Sequence, residues 1–159
     1  MIRHSTDIDC SPEDAFAYLE QLERHAEWQS EIVRTTVETG GPVRVGTRVR
    51  EIRRSGGRDR DSSYEITEHA PPHRHSFRGI TGLVRPLGAV TIQPLGDGSP
   101  TRVSIEFNLI GRGIGKIIAP LARNGARKSV VDSQHRFKAK LERGQARAGE
   151  GARATPDRV

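Results

Sequence analysis

A chain of 159 residues has room for one domain with a real core and little room for two. Hydrophobic residues are 33% of it and charged residues 29%, polar for a globular protein, yet apolar residues recur in ordered patterns from Ile2 to Leu141, which excludes a wholly disordered chain. The net charge of +6 invites a polyanion reading, but the cations are mostly arginine, a bias that nucleotide composition alone produces, and acidic residues are interleaved, so no nucleic-acid partner is expected.

Cys10 is the only cysteine, so no internal disulfide forms, and no Cys/His spacing matches a structural zinc site. The opening residues carry no apolar leader segment, and no run approaches the ~18 apolar residues that span a bilayer. A cytoplasmic protein without stable membrane insertion, monomeric or homodimeric, is expected.

A short first strand over residues 3–9 leads to Ser11-Pro12-Glu13-Asp14. This is a helix start: a hydroxyl N-cap, proline at N1, and carboxylates against the positive end of the dipole. Ala15, Phe16, Leu19 and Leu22 continue a helical stripe toward His25 and Trp28, giving one broken helix or two short ones. The pattern then changes to strand-length runs between turn residues, at 32–39, 46–54, 63–69, 73–80, 87–94 and 102–109. The last alternates cleanly, with Val103, Ile105, Phe107 and Leu109 on one face and Arg102, Ser104, Glu106 and Asn108 on the other.

From Gly111 to about Arg143 the period is helical. Ile114, Ile117, Ile118 and Leu121 form one apolar stripe; Val130, Gln134, Phe137 and Leu141 form another, with a kink or rotation expected near Pro120 and Gly125. One domain over residues 1–143 and a disordered tail over 144–159 are expected.

Strand, two short helices, six strands and a long helix is an order of elements that resembles the helix-grip superfamily, also called START-like, SRPBCC or polyketide cyclase/dehydrase-like. Ser11-Pro12-Glu13-Asp14-Ala15-Phe16 resembles its strand-to-helix passage, and Leu22 with Trp28 its helix exit. Gly41-Pro42-Val43-Arg44-Val45-Gly46-Thr47-Arg48 is similar to its "G..V..GT" hairpin. Tyr64-Glu65-Ile66-Thr67-Glu68 before Pro71-Pro72 is similar to its "YEVTE..PP" segment. Pro100-Thr101-Arg102-Val103 resembles "GTRV", with proline in place of glycine. The resemblance spans residues 2–142 and marks architecture rather than chemistry. It implies an α+β fold, a curved antiparallel sheet of about seven strands closed by the long helix around a pocket for a small hydrophobic molecule such as a lipid, polyketide or aromatic metabolite.

Strand alternation then selects the lining: Val49, Tyr64, Ile66, Phe77, Val90, Ile92, Val103, Ile105 and Phe107, with Leu22 and Trp28 from the short helices and Ile118, Leu121 and Phe137 from the long one. Trp28 is either a pocket wall or plain core. Tyr64 is a candidate proton donor, or a plug of the cavity end. His75, in register with Phe77, is a candidate base if it points inward, the competing reading being exposure beside His73 at the strand edge. His25 is placed at the mouth or on a helix terminus, and Asn124 and Arg127 at the edge of the long-helix stripe. Neither a metal, a cofactor, a catalytic triad nor a reactive Cys10 is indicated. Three functions follow: a carrier of an apolar metabolite, a cyclase- or dehydratase-like enzyme moving protons through Tyr64 and His75, and a charge-driven interaction protein using its basic helix.

Overall fold

The computed structural model describes residues 1–97 and 99–153, with side chains through residue 146. Strand β1 (Ile2–Ile8) is followed by helix α1 (Pro12–Leu19) and a 3-10 turn of helix (Leu22–Glu27). Strands β2 (Ile32–Val37), β3 (Arg48–Ser55), β4 (Arg58–Ala70), β5 (Arg74–Gly79), β6 (Val84–Pro94) and β7 (Thr101–Gly111) lead to the long helix α2 (Gly115–Arg153). All seven strands form one sheet in the order β1-β7-β6-β5-β4-β3-β2, every neighbouring pair antiparallel. No described helix is long and apolar enough to cross a membrane.

The helix start forms as its residues dictate: Ser11 Oγ accepts the Asp14 N–H at 3.1 Å, and Pro12 occupies N1. Strand β4 begins five residues earlier than the alternation suggested, and β3 runs on to Ser55, because Gly56 and Gly57, with φ of 60° and 75°, close them in a two-residue turn. Paired positive φ is the geometry whose twist matches a hairpin. At the other end of the chain, α2 does not stop near Arg143. The helix-forming run Gln145-Ala146-Arg147-Ala148 carries it to Arg153, and the expected tail beyond residue 153 lies outside the described residues.

The solid part of the core lies at one end of the sheet. Phe16, Tyr18 and Leu19 of α1, Trp28, and Phe137 of α2 pack there on Ile8, Val90, Ile92 and Val103. Trp28 stacks edge-on to His25 and Phe137, with centroids 4.9 and 5.0 Å away, and is core. Helix α2 lies over β1 and β7 with a lesser contact on β6. Thr6 donates to Gln134 Oε1 at 3.0 Å and fixes that half of the helix to the edge strand.

The first apolar stripe of α2 is rotated away from the sheet. Ile114, Ile117 and Leu121 are 66%, 76% and 76% exposed and Ile118 is 42% exposed, so Ile118 and Leu121 do not line the interior as expected. The inward line is instead Gly115 and Ala119, both buried, then Ala122, Ala126 and Val130, half-buried on the same face, leading to buried Ser133 and Phe137. A Cβ on Gly115 would stand 2.0 Å from the Leu83 carbonyl oxygen, so the helix begins in backbone contact with the β5–β6 connection, and that contact sets its rotation.

Candidate functional site

The face of the sheet turned toward α2 is read directly from the register. One row runs Ile66, Phe77, Gly88, Phe107, Ile2; the next runs His69, His75, Val90, Ile105, His4. On β3 the inward positions are Val49, Glu51 and Arg53, and Tyr64 stands opposite Val49 on one side and Gly79 on the other. Val49, Ile66, Val90, Ile92 and Val103 are fully packed. Tyr64, Phe77, Ile105, Phe107 and Leu109 share the same face near the middle of the sheet, yet each remains only partly buried.

Two features explain the uncovered surface. Gly79 and Gly88 interrupt the inward face between Tyr64, Phe77 and Phe107, and a Cβ on Gly88 would fall 2.3 Å from that of Phe107. The first half of α2 turns glycine and alanine, rather than its isoleucines, toward the sheet. Small residues on the helix side and half-buried aromatics on the sheet side leave this strip of the inward face incompletely covered, a shallow groove rather than a sealed chamber. Two clefts lie outside it: one of about 430 Å³ between β1 and Arg127, one of about 370 Å³ lined by Ser30, Glu31, Arg54, Gly125, Lys128, Ser129 and Asp132.

A charged cluster lies at the β3 side of the groove. Glu51 is 2% exposed and accepts from Arg53 Nε at 2.7 Å; Arg53 also donates to Glu31 Oε1 at 3.3 Å and to Gln29 Oε1 at 3.0 Å. Ser129 of α2 donates to the same Glu31 oxygen, tying helix to cluster. Desolvation works against the Arg53 charge, but Glu51 and Glu31 outweigh it and hold the guanidinium charged. Three of its five N–H groups are used, leaving two for another acceptor. Burial, aided by Glu51, pushes the Tyr64 hydroxyl well above its ordinary value, so it stays a donor. Nearby polarity is unsatisfied as well: Glu31 Oε2 and Thr35 Oγ1 are buried without partners, and so, on the inner flank of α2, is Arg123 Nε.

Tyr64 and His75 are not brought together. His75 lies four residues along β5 from Gly79, the partner of Tyr64, which places it roughly 13 Å away with Phe77 between. His75 is buried, not exposed at the strand edge, while His73 is exposed. Its companions are His69 and His25; burial first, then those imidazoles, lower its pKa to about 4, so it is neutral. His25 is also buried, at the base of the helical pair rather than at a mouth, and is bonded through Nε2 to the Leu19 carbonyl at 2.8 Å. Among the described residues no three His, Cys, Asp or Glu stand close enough to hold a metal. Cys10 is buried, and desolvation raises its thiol to about 11. Asn124 and Arg127 face solvent.

The sequence pattern does not single out Glu51, Arg53 or Glu31. In Val49-Arg50-Glu51-Ile52-Arg53-Arg54 the inward face is two-thirds ionic and Ile52 sits on the other, so alternation read for hydrophobicity passes over it. The available signal was register alone: Val49 inward obliges Glu51 and Arg53 to follow.

A curved seven-stranded antiparallel sheet, a helical pair after its first strand and a long C-terminal helix over a groove define a helix-grip protein of the START-like class. The chain belongs to the family described as polyketide cyclase/dehydrase and lipid transport, whose model matches residues 1–142. Solved structures share the fold at low identity. The Zhui aromatase/cyclase from Streptomyces sp. R1128 is 12% identical over 89% of this chain and 93% of its own, with a TM-score of 0.77. A START superfamily protein from Mycobacterium smegmatis is 13% identical over 88% and 97%, with a TM-score of 0.70. The di-domain aromatase/cyclase StfQ of the steffimycin pathway is 14% identical over 93% of this chain and 46% of its own, with a TM-score of 0.70. No curated protein matches the sequence at a significant level.

Proposed function

We propose that the domain is a cytoplasmic carrier that holds a small, mainly apolar molecule in the groove, its polar end against Tyr64 and Arg53. The observation that carries this reading is that Tyr64, Phe77, Ile105 and Phe107 on the inward face stay half-buried while α2 turns glycine and alanine toward the sheet, because small residues on the covering helix leave room for an occupant. The free N–H groups of Arg53, the Tyr64 hydroxyl and Arg123 Nε are all donors, which favours a ligand with a carbonyl or acidic end. Trp28, Val49, Ile66, His75, Val90, Ile92 and Val103 serve as the packed floor and walls rather than as direct contacts. The test is native mass spectrometry of protein purified from its own host, with anilinonaphthalene sulfonate as a fluorescent probe in solution. Wild type should retain an apolar molecule and enhance the probe, and Ala122→Trp should abolish both while unfolding cooperatively. A wild-type groove that takes neither overturns the reading.

A second reading has a specific observation behind it: a neutral tyrosine hydroxyl within electrostatic reach of a charged, under-used guanidinium can polarise and protonate a carbonyl during an enolisation or cyclisation. The donor pair for such chemistry is Tyr64 with Arg53, not Tyr64 with His75. In that case Tyr64→Phe lowers turnover of a poly-β-keto substrate strongly while affinity stays nearly constant; parallel loss of both leaves only binding.

A further inference from the structure

The outward side of the first half of α2 is apolar where a soluble helix is ordinarily polar. Ile114, Ile117, Ile118 and Leu121 form a ridge almost opposite the packed line of Gly115 and Ala119, and Leu83, 50% exposed, adjoins it where the β5–β6 connection touches Gly115. Scattered exposed aliphatics are ordinary, but a contiguous ridge of five marks a contact surface.

The charge around the ridge indicates what it contacts. Residues 107–131 include no aspartate or glutamate and five cations, of which Arg123 lies on the inner flank of α2 while Arg112, Lys116, Arg127 and Lys128 are exposed. Among the described residues none of these five forms an ion pair with a carboxylate, although arginines elsewhere on the surface do so repeatedly. Lys128 continues the line of Ile117 and Leu121 along the helix, and Lys116 and Arg127 flank it.

We propose that this ridge docks the domain flat on an anionic lipid surface, with Leu83, Ile114, Ile117, Ile118 and Leu121 in the headgroup–acyl boundary and the flanking cations on lipid phosphates. An in-plane helix with an apolar strip and basic flanks is the arrangement that binds such a surface without spanning it. A second copy of the chain fits poorly, because two-fold contact on the ridge sets the cations against their own images with no carboxylate in the segment to neutralise them. RNA fits poorly as well: aliphatic side chains provide no stacking platform for bases. The docking does not depend on which molecule the groove holds.

The experiment is co-sedimentation of the full chain with vesicles of phosphatidylcholine alone and of phosphatidylcholine mixed with phosphatidylglycerol. Wild type should pellet with the mixed vesicles only, less as salt is raised. The double variant Ile117→Glu/Leu121→Glu should bind about tenfold more weakly or worse, since it removes two of the five anchors and repels the surface. Both side chains are 76% exposed, so its circular dichroism, melting and groove-probe fluorescence should match wild type. Failure of the wild type to pellet, or equal pelleting of the variant, overturns the proposal. So does an RNA oligonucleotide bound equally by both forms when neither binds vesicles, or a dimer in sedimentation velocity that the substitutions dissolve. Because probe binding is read without vesicles, loss of docking and failure of the groove reading are separate results.

Discussion

Replacing Arg53 with methionine tests the charged cluster most directly. The substitution keeps the length of the side chain but leaves Glu51, 2% exposed, without its cation, and takes one hydrogen bond from Glu31 and one from Gln29. Breaking a buried ion pair on one side costs about 3–5 kcal/mol, and because Arg53 is itself 36% exposed the lower end, about 3 kcal/mol, is the expectation at neutral pH. For a chain of this size that is a fall of about 6–12 °C in Tm. The pH dependence supplies the sign. An unpaired buried carboxylate has a folded-state pKa above its unfolded value, so the folded variant takes up a proton that the unfolded chain does not, and the deficit is full at neutral pH and fades as pH falls toward about 4. Thermal unfolding of wild type and Arg53→Met across that range measures it, and Glu51→Met/Arg53→Met, with both charges gone, should recover most of the loss. A deficit under about 1 kcal/mol at neutral pH, or one that is flat with pH, would refute the claim that Arg53 neutralises Glu51 inside the groove.

Two further outcomes follow from other parts of the fold. Gly115→Val should cost about 3 kcal/mol or more in denaturant unfolding, because its Cβ would meet the Leu83 carbonyl oxygen at 2.0 Å, whereas the same change at Gly125, which has open space around it, should be nearly neutral. His75, with its pKa lowered from 6.5 to about 4, stays neutral in the fold while the unfolded chain protonates, so stability is lost as pH drops from about 6.5 to about 4; His75→Gln should flatten that slope, visible in Tm against pH.

The strands that could be read from sequence are those whose two faces differ in polarity. On β7 the alternation of Val103, Ile105 and Phe107 with Arg102, Ser104 and Glu106 fixes the face, and the structure keeps it. Tyr64 is legible by the same logic. The ionic inward face of β3 is not, since Glu51 and Arg53 are held inside by a partnership with Glu31 and Gln29 that spans more than twenty positions. The orientation of α2 is illegible for a related reason. Ile114 and Leu121 are individually what a buried face looks like, and only the backbone of Gly115 against Leu83, a contact between distant segments, decides that alanines go inward. His75 shows the converse: a polar residue beside a proline-rich turn looks like an edge residue, but its pairing with Val90 on β6 places it in the interior.

The pairing of β1 with β7 has a consequence for how the domain comes into being. Ile2 meets Phe107 and Ile8 meets Thr101, so the first strand of the domain to be synthesised pairs only with the last strand made. Six hairpin-adjacent strands can zip up in the order of synthesis, but the opening segment waits, unpaired, until nearly the whole sheet exists, and α2 has its edge to lie on only after that closure. Truncation from either end therefore strips the same seam, and the helix loses its bed in both cases.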